Sequence, residues 1–396
     1  MSVARAPAGA ADAQRSYLSG TFAELCRIES PSGSERACAQ RVIAELRALD
    51  VHAHEDAAGA VVGSDCGNLL ARVPAAGASG TGGAQRRSLM LCAHLDTVAL
   101  QARVEPVLSD GVWVNANEGI LGADNKAAIA VLLALARHVC REGAPLDLEL
   151  LFTVAEERSL AGARAFDAAR LQSDFGYVFD HASPIGEVVA ASACNYRFEV
   201  SVHGRAAHAG IRPQDGRSAI VCAARAVASL PVGRVGEHSS VNVGVIAGGS
   251  ATNVVADSAV FRGEVRSLEE HDAEALTAEV VQRCHEAANL PDCDCDVDVS
   301  IERTYAGYRQ PASSRAVAVA EAALRRCGHE PVRITSGGGS DANALLDAGF
   351  PCVNLANGTE HAHEPGERVS DAALHEMLGV ALALLDEAAQ APSPPR

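Results

Sequence analysis

The sequence predicts an α/β protein: a catalytic domain on a mostly parallel central sheet, interrupted by a smaller inserted α+β domain. Two observations carry this reading. Apolar runs of strand length, SLMLCA (88–93), LELLFTVA (148–155), GYVF (176–179) and PCVNL (351–355), recur along the chain with helical segments between them. That order is the signature of a sheet covered on both faces. After about Ser192 the pattern changes. YRFEVSVHG (196–204) and AVFRGEVRS (259–267) alternate with period two, as half-solvated antiparallel strands do.

The elements follow in order. Residues 17–30 and 34–49 carry helical periodicity, and Gly67–Val73 reads as a short strand. Ala75–Arg87 is Gly-rich and reads as a flexible surface loop. Helices are expected over Lys126–Val139 and Ser159–Ala169, and in the insert over Gly216–Leu230 and Leu268–Asn289. The run DCDCDVDVS alternates like a half-buried strand, so the close pair Cys293 and Cys295 is read there as structural. From about Ser313 to Leu385 the α/β character returns, and APSPPR is a frayed tail. The expected bounds are residues 1–194 with 307–396 for the catalytic domain, and 195–306 for the insert.

Composition narrows the function classes. The 396 residues are 48% hydrophobic, which supports burial and excludes general disorder. With 33 basic against 50 acidic side chains the net charge is −17, which opposes nucleic-acid binding through a basic surface. The first 15 residues lack the apolar stretch of a signal peptide, and the most apolar run, Ala127–Leu135, is too short for a membrane span. The twelve cysteines contain no CxxC pair and read as buried thiols of a cytoplasmic protein. Only one basic residue, Lys126, is lysine. Its place directly after Asp124-Asn125 suggests an ammonium packed near a carboxylate cluster.

The chemistry lies just past the buried strands. SLMLCA is followed by His94 and Asp96, LELLFTVA by Glu156 and Glu157, and GYVF by Asp180. Open α/β sheets bind ligands beyond the carboxyl ends of their strands, so three strands deliver these groups to one rim. Asp124, before a helix, and His363, after the last strand, join them. Imidazoles among several carboxylates suit a borderline metal such as Zn²⁺, and that many carboxylates together require cations to neutralise them. Each piece alone has a plainer reading: a surface turn, a solvated helix start, or a helix cap. A serine hydrolase is the rival enzyme. Gly338-Gly-Ser340-Asp-Ala342 follows VRIT like a nucleophile elbow, with Asp347 and His363 downstream. Against it, position 342 is Ala rather than Gly, and the carboxylates at the other strand ends are left unexplained. A peptide-binding module that has lost the chemistry would lack a ligand or a base, and every candidate is present.

HLDTV (94–98), GADNKAA (122–128), TVAEE (153–157), GRAAHAG (204–210), NVVAD…RGEVRS (253–267) and GGGSDAN (337–343) together resemble the dinuclear zinc peptidases. That superfamily contains peptidase T, carboxypeptidase G and aminoacylase, and the chain is most similar to its peptidase T-like members. The resemblance spans about residues 17–385 and implies a set of roles. His94 and Asp180 would bind one metal, Glu157 and His363 the other, and Asp124 would bridge them. Asp96 would orient His94, and Glu156 would be the general base acting on the attacking water. His361 is a rival to His363, which is preferred because Glu367 follows at the family spacing. In the insert, a lid and dimerisation domain in this family, His208 would reach a partner subunit's site, and Asn253 and Arg266 would hold the substrate's carboxylate end. Free N–H groups at Gly338, Gly339 and Ser340 would hold an anionic group. The implied protein is a cytoplasmic homodimer with two divalent ions, zinc first and cobalt or manganese next, that hydrolyses short peptides as a tripeptide aminopeptidase does. An N-acyl-amino-acid amidohydrolase or carboxypeptidase with the same metals is the alternative. No nucleic-acid or membrane partner is expected. Ala256 and Ala99-Leu100 depart from family prolines and a Pro-Gly, and Asn125 from a common Asp, which bears on substrate choice rather than on the metal ligands.

Overall fold

The computed structural model describes residues 8–75 and 87–391, so most of the Gly-rich 75–87 segment and the C-terminal tail lie outside the described residues. The chain divides into two compact units. The first runs to Ala190 and resumes over Gln310–Thr335 and from Ser340 onward, while the second comprises Ala191–Arg309 with Ser336–Gly339.

Among the described residues the first unit is built on a nine-stranded mixed sheet. Its centre is four parallel strands in the order Asp147–Thr153, Ser88–His94, Gly176–His181 and Cys352–Ala356. These are the apolar runs of the sequence. Every residue of Ser88–His94 and of Cys352–Ala356 is buried, as parallel strands covered on both faces must be. Leu69–Val73 and Glu187–Ser192 flank this centre in antiparallel pairing. The fold-class expectation holds.

The helix Ala123–Glu142 is buried nearly all round, because it is apolar on every face rather than along one stripe. It packs against the helices Ala8–Cys26 and Asp371–Gln390 and against the central strands. Lys126 lies inside this packing, 1% exposed. Its Nζ donates to the carbonyls of Ile28 (2.9 Å) and Leu25 (3.4 Å), at the end of the Ala8–Cys26 helix. The expected packing against the carboxylate cluster is thus corrected: the ammonium satisfies carbonyls left open at a helix C-terminus. The helix expected over Ser159–Ala169 is also shorter, covering Ala161–Ala165 before Phe166 turns extended, with a 3₁₀ turn at Ala168–Arg170.

The second unit is a five-stranded antiparallel sheet in the order Gly233–Val235, Ser239–Gly248, Ser258–Ser267, Cys194–His203, Asp296–Tyr305. The helices Ala219–Ser229 and Glu270–Ala288 pack on it and on each other. Their core joins Phe198, Val200, Phe261, Cys222 and Cys284. The DCDCDVDVS run becomes a strand only from Asp296, and Cys293 is buried in the turn before it. All cysteines are free thiols. No described helix is long and apolar enough to cross a membrane.

Close backbone packing fixes the segment after Thr153. A Cβ on Gly162 would lie 2.0 Å from the carbonyl oxygen of Val154 and 2.8 Å from Asn68 Oδ1. Gly162→Ala should therefore cost about 1–3 kcal/mol through overpacking. Calorimetry of the purified variant should show a lowered Tm; an unchanged Tm would contradict the packing described.

Candidate metal centre

The parallel strands end at one rim, and the chain leaves each of them carrying a histidine or a carboxyl side chain. His94 is the last residue of its strand and is fully buried. Its Nε2 lies 3.2 Å from Asp180 Oδ1 and 3.3 Å from Asp124 Oδ1. Asp124 occupies a non-helical first turn of the Ala123–Glu142 helix, after Gly122 in the left-handed region. Its other oxygen, Oδ2, lies 3.5 Å from His363 Nε2, which in turn lies 2.7 Å from Glu157 Oε1. The structure thus brings together His94, Asp124, Glu157, Asp180 and His363, with Asp124 between the two imidazoles. His361 is turned away: its side chain is exposed and lies 3.8 Å from Glu364.

Two sets of donor atoms lie within 4.8 Å of one another: His94, Glu156 and Asp180, and His94, Asp124 and Glu157. Glu156, read from sequence as a base, is thus also within ligand distance. A third set, Glu35, Asp65 and Cys66, has its oxygens engaged. Glu35 accepts from the N–H groups of Gly33 and Ala155 and the hydroxyl of Ser64, while Asp65 accepts the Arg36 N–H.

The electrostatics of the rim call for positive charge. Burial works against a charged His94, yet the Asp180, Asp124 and Asp96 carboxylates outweigh it and hold the imidazole well above its usual range. Hydrogen bonds to Asp124 and Glu157 raise His363 to about 10. Burial lifts Asp180 to about 7, and burial with the Asp180 charge lifts Glu156 well above the ordinary carboxylate range. Burial also opposes ionisation of Asp124, but bonds to His363 and His94 hold it below its usual value. Imidazoles held cationic between carboxylates occupy the electrostatic place of cations, so this donor set fits two divalent metal ions.

Around the donors lies a layer of backbone anchors. Asp96 is fully buried: one oxygen is 3.3 Å from His94 Nδ1, and the carboxylate accepts from Ser32 Oγ (2.6 Å) and from the N–H groups of Glu156 (3.0 Å) and Glu157 (3.2 Å). Glu367 gained no role from the sequence beyond its spacing to His363. It is buried and accepts the N–H groups of Leu121, Gly122 and Asp124, which fixes the turn that carries Asp124. Asn125, read only as a departure, donates from Nδ2 to Asp180 Oδ1 at 3.0 Å.

In the second unit, His208 and Asn253 are neighbours. The Ala209 N–H donates to the Asn253 carbonyl, the Val255 N–H to that of Ala207, and both side chains are exposed. Arg266 donates to Glu264 (2.8 Å) on its own strand face and to the Gly337 carbonyl. The expected free N–H groups are not found. Gly338 donates to Ser336 Oγ, Gly339 to the Tyr305 hydroxyl and Ser340 to Asn343 Oδ1, each at 3.1 Å. Ser340 is the cap of the short Asp341–Asp347 helix, in a reciprocal capping box with Asn343. Ser340 is 2% exposed, and the His363 imidazole is turned to Glu157 and Asp124, so the geometry lends the serine-nucleophile reading no support.

Residues 194–290 match the peptidase dimerisation domain of the M20 group, and residues 75–184 match peptidase family M28. The chain is 31% identical to the uncharacterised protein YqjE of Bacillus subtilis, over 93% of this chain and 97% of that one. The crystal structure of the aminopeptidase PepT of Bacillus cereus superposes with a TM-score of 0.81 at 31% identity, covering 95% of this chain and 99% of that one. A tripeptidase of Staphylococcus aureus superposes at 0.86 with 28% identity over the same shares. With buried histidine and carboxylate donors at the strand ends and full-length relatives of this kind, the chain belongs to the M20 metallopeptidases and is peptidase T-like.

Proposed function

We propose that the protein removes residues from short peptides, as a tripeptide aminopeptidase, at a two-metal centre held by His94, Asp124, Glu157, Asp180 and His363. The observation that carries this reading is their convergence around Asp124, with the buried Glu156 carboxyl beside them. His94 and Asp180 would hold one ion and Glu157 and His363 the other, with Asp124 shared. Zinc suits this mixed nitrogen and oxygen set, and cobalt and manganese are the next candidates. Two such ions would supply Lewis-acid polarisation of the scissile carbonyl and lower the pKa of a bound water.

The chain's own residues do the rest. Glu156 takes a proton from the attacking water and returns it to the departing amine, a task suited to a carboxyl whose affinity for protons burial has raised. Asp96 orients His94 and holds the Glu156 and Glu157 backbone. Asn253 and Arg266 would bind the carboxylate end of the peptide, with Arg266 exchanging Glu264 for substrate. His208 would stabilise the oxyanion. The match to a peptidase dimerisation domain supports assembly as a homodimer through the inserted unit.

Three outcomes test this reading. Chelator-treated protein should gain Tm on addition of zinc, because an ion bound only by the folded state stabilises it; Asp124→Asn should bind less metal after dialysis, by elemental analysis. Glu156→Gln should keep its metal yet lose activity by about 100- to 10,000-fold, and unchanged hydrolysis would remove Glu156 from the role of base. A screen of metal-loaded protein against tripeptides with free and blocked N-termini, beside acyl-amino acids, should favour free tripeptides. Blocked tripeptides cut equally fast would overturn the aminopeptidase assignment.

A further inference from the structure

The turn Ser30–Glu35 (SPSGSE) lies far from the metal donors in sequence and is none of them, yet it touches both segments that carry the chemistry. Thr97 N–H donates to the Ser30 carbonyl and Ser32 N–H to that of Thr97, so the turn runs beside the residues that follow His94. The Ser30 hydroxyl donates to the Leu95 carbonyl (2.9 Å) and the Ser32 hydroxyl to Asp96 Oδ2 (2.6 Å). On its other side, Arg158 donates to the Ser32 carbonyl. Glu35, 0% exposed, accepts the Ala155 N–H at 3.0 Å through Oε1. The same oxygen accepts the Gly33 N–H (2.9 Å), and Oε2 accepts the Ser64 hydroxyl (2.6 Å).

Ala155 is the residue directly before Glu156, and it sits in the left-handed region at φ 51°, a conformation that a residue with a Cβ adopts only at a cost. The N–H groups of Ala155, Glu156 and Glu157 are consecutive, and each is held by a buried carboxylate: Glu35 for the first, Asp96 for the other two. Successive N–H groups beside a left-handed residue form a concave donor cradle that favours anionic oxygens. Remove Glu35 and the Ala155 N–H loses its partner, while the Ala155 carbonyl keeps the Arg158 and Ala161 N–H groups and the partners of Glu156 and Glu157 remain.

We propose that Glu35 is a positioning residue for the general base: by holding the Ala155 N–H it fixes the left-handed turn that aims the Glu156 carboxylate, while Ser32 steadies Asp96 from the same turn. This rests on the reading of Glu156 given above. It requires no contact of Glu35 with metal or substrate.

Two variants and two readouts test it. In Glu35→Ala the full chain, loaded with zinc, should lose kcat on trialanine by about 10- to 100-fold, the usual cost of removing a residue behind a metal site, with KM and bound metal unchanged. Glu35→Gln should recover most of that loss, because its amide oxygen can still accept from Ala155 and Gly33 while its NH₂ faces Ser64. Independently of activity, hydrogen exchange read by mass spectrometry should accelerate about tenfold or more over residues 154–158 in Glu35→Ala. Beyond the Gly33 and Ser64 turns, which lose their own bonds to Glu35, exchange elsewhere should be unchanged, and Glu35→Gln should retain the protection. Unchanged exchange over 154–158 overturns the proposal, and so does a loss of activity that added zinc restores, which would make Glu35 a determinant of metal affinity. If the wild-type protein fails to cleave peptides while the exchange result holds, the functional reading fails and the positioning of the 155–157 segment stands.

Discussion

The rest of the structure depends on a crowd of like charges held at one rim of the sheet. Asp124, Glu157 and Asp180 meet there beside Glu156, and His94 and His363 are the imidazoles that touch them. Asp341 lies beneath, fully buried, with Thr153 and Cys92 donating to it, and burial pushes its carboxyl up to about 6. Carboxylates so placed repel one another and lose hydration, so the site needs protons or nearby positive charge to offset them. The imidazoles of His94 and His363 lie among these carboxylates, which hold both above their usual range. The same crowding that would destabilise an ordinary core gives this rim a donor set suited to divalent cations.

A rim under such repulsion needs a rigid frame, and the frame is mostly backbone hydrogen bonds to buried carboxylates. Glu367 closes the turn that carries Asp124, and Asp96 with Glu35 secures the segment that carries Glu156 and Glu157. Each places one buried carboxyl group against two or three neutral donors. The donors are thereby fixed before any ion arrives, which lowers the reorganisation that binding would otherwise require. In the inserted unit the helices bury one face of the antiparallel sheet, and paired loops bring His208 beside Asn253. Residues 194–290, most of that unit, match a peptidase dimerisation domain.

Much of this was legible in the amino-acid order. The buried strands declare themselves as short apolar runs, and the insert as a change of period from continuous burial to alternation. His94, Glu157 and Asp180 are legible because each stands one or two residues beyond an apolar run, where an α/β sheet presents its ligands. Asp124 and His363 stand on a helix start and a loop, legible as candidates from their positions, while the shared role expected of Asp124 came from the resemblance to the family. The misreadings share one cause. Lys126 and the Gly338–Ser340 segment were judged from their neighbours in sequence, whereas their hydrogen bonds decide their roles. Lys126 Nζ reaches carbonyls about a hundred residues away, and the glycine N–H groups are taken by Ser336 and Tyr305.

The sequence by itself determined the fold class, the inserted second unit and the chemical type of the site, because these follow from the period of apolar residues and from which polar residues end each run. Tertiary structure alone decided which donors are free and which are engaged. Glu35 is an unremarked acidic residue in a Ser-Gly turn until the fold sets it against Ala155, 120 positions away. The physical reason is that burial and hydrogen bonding are properties of pairs. A residue's type states what it can donate or accept, and only the folded chain states what stands opposite it.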